Sequence, residues 1–134
     1  MTITYTKTAM LICTNFYFDI PEEETTINSK EVLYVGAYMK DRIQSLIRVV
    51  DALSQYDLTL NINLFYGRKT PPFSHPHLSF FSKGISYAEN LKTTKKAAIL
   101  LDIKTVEHNG LSFRIFEAIK YQKKLITDNK SIKL

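Results

Sequence analysis

"AAILLDI", Ala97 to Ile103, is apolar from Ala97 through Leu101 and turns acidic at Asp102. A strand that is apolar on both faces has to be covered from both sides, which is the situation of a central strand in a parallel sheet. A half-exposed strand would alternate instead. Such a strand requires helices above and below, and the flanking sequence offers them. Upstream, Ser86 and Glu89 stand at capping-box spacing, so a helix begins there and runs to about Lys96. Downstream, the loop "KTVEHNG" (Lys104 to Gly110) leads to a helix from Ser112 to about Tyr121, then to a strand "KLIT", Lys124 to Thr127.

Further out the same alternation continues. Val32 to Val35 is a short apolar strand closed by Gly36, and Ile43, Leu46, Ile47, Val50 and Leu53 recur at helical spacing, predicting a helix from Asp41 to about Gln55. Leu60, Ile62, Leu64 and Tyr66 alternate with Asn61, Asn63 and Phe65, a strand with one wetter face. "RKTPPFSHPH" (Arg68 to His77) holds three prolines and is a loop, and a further strand covers Leu78 to Lys83. Strands alternating with helices predict an α/β, Rossmann-like, doubly wound and mostly parallel sheet of about five strands. Residues 1–30 divide from it: "TAMLICTNFYF" (Thr8 to Phe18) is rich in β-formers, and "DIPEEETTINSK" (Asp19 to Lys30) has loop composition. The α/β domain is then 31–134, and a closing helix after the last strand is expected to be truncated away at the C-terminus.

At 134 residues, 45% hydrophobic and 23% charged, the chain has the composition of one globular domain. The formal charge of +5 favours phosphorylated or acidic partners only weakly, because the lysines are dispersed as on a solvated surface, and no nucleic-acid partner is expected. The single cysteine, Cys13, excludes an internal disulfide and a cysteine-based zinc site. No apolar stretch reaches the ~20 residues of a membrane span. A cytoplasmic location follows from these features.

Ligands of doubly wound sheets sit beyond the carboxyl ends of the strands, which selects a few loops. In "NGLSFRIFEAIKYQKKLITDN" (Asn109 to Asn129), Gly110 permits a tight turn and Ser112 is a good N-cap. The first helical amides and the helix dipole would attract a diphosphate, and Arg114 pairs well with phosphate oxygens. Glu117, one turn deeper on the same side, is placed to accept from a ribose diol. The plainer interpretation makes Ser112 a cap, Arg114 and Glu117 a surface ion pair, and Ile115, Phe116 and Ile119 core. His108 and Tyr66 are further candidate contacts. His75 and His77 lack a third ligand nearby, and Tyr87 with Asn90 opens a helix at the same sheet end.

The segment from Gly110 to Ile132 resembles the C-terminal nucleotide-binding lobe of GT-B glycosyltransferases, most closely the bacterial lipopolysaccharide or capsular polysaccharide biosynthesis proteins. Their G-L-[ST]-x-R-x-x-E-A pattern is matched by Gly110, Leu111, Ser112, Arg114, Glu117 and Ala118. Their G-K-K-L-I-T-x-N pattern is matched by Lys123, Lys124, Leu125, Ile126, Thr127 and Asn129, with Gln122 in place of the usual glycine. "EVLYVGAYMKDR" (Glu31 to Arg42) and "ISYAENL" (Ile85 to Leu91) resemble the same family, and "NFYFD" (Asn15 to Asp19) its linker.

The resemblance implies one lobe of a GT-B fold. Its donor diphosphate would lie on Gly110, Leu111, Ser112, Arg114, Gly36 and Arg42, its ribose on Glu117, and a base near Tyr66 and Gly67. A nucleotide diphosphate sugar and a saccharide acceptor are then the partners, with no cofactor and no metal. The general base would stand on an N-terminal lobe that this chain lacks, or an oligomer partner would complete the site. This chain alone is therefore expected to be inactive. The location implied is the cytoplasm, with peripheral association at the inner face of the bacterial inner membrane. The alternative is a non-enzymatic α/β module that binds nucleotide or protein for regulation. A receiver domain is disfavoured because "VGAYMKD" lacks an acid pair, a P-loop enzyme because no G-x-x-x-x-G-K-[ST] occurs, and a dehydrogenase because Gly36 is not followed by the further glycines of a G-x-G-x-x-G turn.

Overall fold

A computed structural model describes residues 26–105, 111–130 and 132. Five strands and three helices alternate along the chain: β1 (Asn28–Ala37), α1 (Ile43–Leu53), β2 (Thr59–Phe65), β3 (Leu78–Phe81), α2 (Tyr87–Lys96), β4 (Ala97–Asp102), α3 (Phe113–Lys120) and β5 (Lys124–Thr127). The sheet order is β3-β2-β1-β4-β5, and all four pairings are parallel. This is the strand order of a doubly wound Rossmann-like sheet, with its switch point between β1 and β4.

β1 runs longer than the apolar stretch Val32 to Val35 suggests. Glu31 to Ala37 each pair with a residue of β2, and Asn28 pairs with Ala97 of β4, so ladder hydrogen bonds on both sides extend the strand through Gly36 and back into the segment assigned to the linker. The helix expected from Asp41 begins at Ile43 because Lys40 to Arg42 form a turn, and β3 stops at Phe81 where its pairing with β2 ends.

The two faces are covered differently. On one, the apolar stripe of α1 (Ile43, Leu46, Val50) packs on Val32, Tyr34, Ile62, Leu64 and Leu101. α1 carries no side-chain cap and no charge complementary to its dipole at either end, so this burial is what holds it. The proline-rich loop lies on the same side, with Phe73 against that core and His75 Nε2 at 2.9 Å from Asp51 Oδ1 of α1. On the other face, Ala118 of α3 packs on Leu33, Leu100 and Leu125, and α2 lies against β1 and β4. α2 buries only Leu91 and Thr94, and its start depends on a complete capping box: Ser86 Oγ accepts from the Glu89 amide at 3.2 Å while the Glu89 carboxylate accepts from the Ser86 amide at 2.8 Å. On this second face an open cleft lies against the carboxyl halves of β2 and β3.

The turn from α3 to β5 is made by Gln122 at φ 53°, a left-handed conformation that a side chain disfavours. Gln122→Gly should therefore raise stability by about 0.5 kcal/mol, the relief of the left-handed penalty less the glycine's greater chain entropy. Denaturant unfolding midpoints of the two chains would measure it, and a loss of stability would show that the glutamine side chain itself holds the turn.

Candidate functional site

The carboxyl end of β1 is closed by its own loop. The Arg42 guanidinium folds back to donate from Nη2 to the Ala37 carbonyl at 2.6 Å and lies over the Tyr34 ring, 5.8 Å from its centroid. Tyr34 is 3% exposed, and its hydroxyl has no hydrogen-bond partner among the described residues. Burial pushes this phenol above its ordinary pKa, with Arg42 pulling it down and Asp102 adding to the rise. A Cβ placed on Gly36 would stand 2.8 Å from the Tyr34 hydroxyl, which is why a glycine occupies the strand two residues on, along the same face.

At the switch point, Asp102 ends β4 almost buried and gathers two hydroxyls. Ser112 Oγ donates to its Oδ1 at 2.7 Å, and Thr127 Oγ1 donates to its Oδ2 at 3.0 Å. The Asn129 amide in turn donates to Thr127 Oγ1, and the Lys104 amide to Asp128 Oδ1. Ser112 holds the N-cap position with extended backbone, but its hydroxyl makes no hydrogen bond to the α3 amides; its side chain is turned to the Asp102 carboxylate, to which it donates. Leu111 beside it is half-buried, while Gly110 and His108 lie outside the described residues.

Arg114 and Glu117 are not a surface pair. Glu117 is 1% exposed, and Arg114 Nη1 reaches its Oε2 at 2.8 Å and Thr94 Oγ1 at 2.9 Å, while Nη2 is 3.5 Å from Asn90 Oδ1. The pair sits between α3 and α2, in one stripe with Ile115 and Ala118, and Ile119 is turned out to 71% exposure rather than into the core. Spacing three residues apart is the same on a wet or a buried face, so only the stripe it shares with Ile115 and Ala118 signals burial. Burial raises the Glu117 carboxyl above its ordinary pKa, and Arg114 opposes this.

Beside these groups a cleft of about 590 Å³ opens over the carboxyl halves of β1, β2 and β3, on the face left uncovered. Val35 and Gly36 form one wall, Asn61 and Asn63 the floor, Phe81 and Tyr87 the rim. Asn90 also lines it, so the cleft and the buried Arg114 meet at one side chain. Burial and then Glu117 raise the Tyr87 phenol above its ordinary pKa, and Arg114 opposes this. Neither Asn61, Asn63 nor Phe81 stood out as site residues in the sequence, although two asparagines alternating along a strand of a parallel sheet were the available signal. Tyr66 lies elsewhere, in an aromatic cluster on the α1 side, its ring 5.1 Å from Tyr38. Among the described residues no group of three His, Cys, Asp or Glu could hold a metal, and no helix is long and apolar enough to cross a membrane.

Two measurements test this arrangement. Gly36→Ala should destabilise by about 1–3 kcal/mol through overpacking, and most of that loss should vanish in a Tyr34→Phe background, where the clashing hydroxyl is gone. Additive losses in a double-mutant cycle would refute the contact.

For the ion pair, Arg114→Met alone should cost about 3–5 kcal/mol because it strands a buried carboxylate, and Arg114→Met with Glu117→Leu should recover most of it. Because the folded state holds the Glu117 proton more tightly than the unfolded chain, the contribution of this carboxyl is complete below its ordinary value of 4.5 and is lost as pH rises through the raised one. Wild type should therefore lose stability relative to Glu117→Gln as pH rises from that ordinary value through the raised one. Unfolding midpoints across the acidic range would check the sign.

Comparison of the chain with protein-family models, with curated proteins and with solved structures returns no match.

Proposed function

We propose that the chain is the donor-binding half of a glycosyltransferase of bacterial surface polysaccharide synthesis, one lobe of a GT-B fold. The observation that carries this is the cleft at the carboxyl ends of β1 to β3, beside the β1/β4 switch point and walled by Gly36. Crevices at that position are where doubly wound sheets hold nucleotides. Its volume lies within the ordinary range for a small-molecule site. Phosphate charge would be met by the Arg42 guanidinium at the end of β1 and by the start of α3, which the Ser112 hydroxyl leaves uncapped.

Transfer would need charge compensation on the departing nucleoside diphosphate, which fixed cations and amides supply. The base that takes the acceptor's proton is assigned to a second lobe. Glu117 would bind ribose only by exchanging part of its hold on Arg114, since its carboxylate is closed in by that side chain.

The same enclosure favours the second reading, a non-enzymatic α/β module that binds a nucleotide or a partner protein. There Arg114, Glu117, Ser112 and Asp102 serve the fold alone, because each already has an internal partner.

Titration of UDP, GDP, CDP and ADP by calorimetry separates the two. One diphosphate should bind selectively and be weakened about tenfold by Arg42→Gln, the loss of one charge-assisted hydrogen bond. Absence of binding by all four at millimolar concentration would leave the regulatory module standing, and sugar transfer by this chain alone would overturn the assignment of the base to another lobe.

A further inference from the structure

The floor of the cleft has an order that neither its volume nor its aromatic rim requires. Glu31, Asn61 and Asn63 project from the open face of β1 and β2 in one line. Asn61 Nδ2 donates to Glu31 Oε1 at 2.9 Å, and Asn63 Nδ2 donates to Asn61 Oδ1 at 2.7 Å and to the Asn61 carbonyl at 3.4 Å. An isolated asparagine amide can present either end, but this series cannot turn over freely. A carboxylate only accepts, so Glu31 takes the Asn61 amide group, which leaves the Asn61 oxygen to receive from Asn63. The polarity set at Glu31 is passed along, and it leaves Asn63 Oδ1 as an acceptor with no donor reaching it among the described residues, on the floor of the cleft.

We infer that Asn63 is a specificity-determining residue, oriented by Glu31 through Asn61, and that the cleft takes an uncharged ring with an O–H or N–H donor at its edge. A phosphate or carboxylate oxygen meeting Asn63 Oδ1 would be repelled and left unpaired, so anions are excluded from this floor even though Lys83 stands at the rim. Phe81, 49% exposed, and Tyr87, 39% exposed, offer flat faces to the ring. A nucleobase and a pyranose both have this chemistry. The carboxylate end lies toward the amino ends of the strands, away from the mouth, so Glu31 acts through the amides and touches no ligand; it is a positioning residue.

The inference rests on the cleft and not on the diphosphate. A methyl glycoside that binds while no nucleoside diphosphate does would end the donor assignment and leave the selectivity of the floor intact. The ¹⁵N-labelled chain would be titrated separately with uridine, cytidine, adenosine and guanosine, with methyl glucoside and methyl N-acetylglucosaminide, and with inorganic pyrophosphate. At least one neutral ring should shift the amides of Asn61, Asn63 and Phe81, the effective probes naming the source, and pyrophosphate should leave those amides unmoved.

Asn63→Leu should weaken that neutral ligand about tenfold, the cost of an unpaired donor. Phe81→Ala, at an exposed position that folding tolerates, should weaken it as well. Glu31→Gln should relax selectivity by letting the amides turn over, so that pyrophosphate begins to shift the Asn63 amide while melting is unchanged. The assignment is overturned if no neutral ring binds the cleft, if pyrophosphate binds the wild-type floor, or if Asn63→Leu and Phe81→Ala both retain wild-type affinity.

Discussion

A guanidinium and a carboxylate removed from water need partners inside the protein, and in this fold that requirement sets the position of two helices. Arg114 and Glu117 belong to α3, but Thr94 and Asn90, which complete the coordination of Arg114, belong to α2. α2 has little apolar surface to anchor it, burying Leu91 and Thr94 alone. The buried pair supplies the registration that packing does not. Asn90 and Tyr87 are carried on the same helix, so the charge pair under α3 also determines where one wall of the cleft stands.

The sheet contributes the other half of the site through an asymmetry of its faces. α1 and the proline-rich loop close one side over an apolar core. On the opposite side, the helices that follow β3 and β4 cover β1, β4 and β5, and the carboxyl halves of β2 and β3 stay open. A strand bare on one face needs polar residues there, and Asn61 and Asn63 meet that need with a hydrogen-bonded series running back to Glu31. The open face is thus built into the residues of β2 and does not depend on a distortion of the sheet.

Much of this was legible along the chain. The apolar run Ala97 to Leu101, the helical stripe of α1, the capping box at Ser86 and the strand at Lys124 to Thr127 each express a local rule, and each lies where that rule puts it. Strand ends were less legible, since β1 runs on through Gly36 for as long as its neighbours offer partners. In the candidate site, Ser112 was correctly an N-cap by position and incorrectly one by hydrogen bond, because its side chain turns to donate to Asp102, ten residues away. Arg114 and Glu117 were visible as a pair but not as a buried one.

What the sequence alone determined was the α/β alternation and hence the parallel, doubly wound sheet, because periodicity, capping and turn chemistry act between residues a few positions apart. Only the tertiary structure decided which polar groups face each other: Asp102 with Ser112 and Thr127, Arg114 with Thr94 and Asn90, Glu31 with Asn61. Those pairings join residues brought together by the crossing of the chain. A hydrogen bond or an ion pair depends on a separation of about 3 Å in space, and a one-dimensional pattern does not contain that separation.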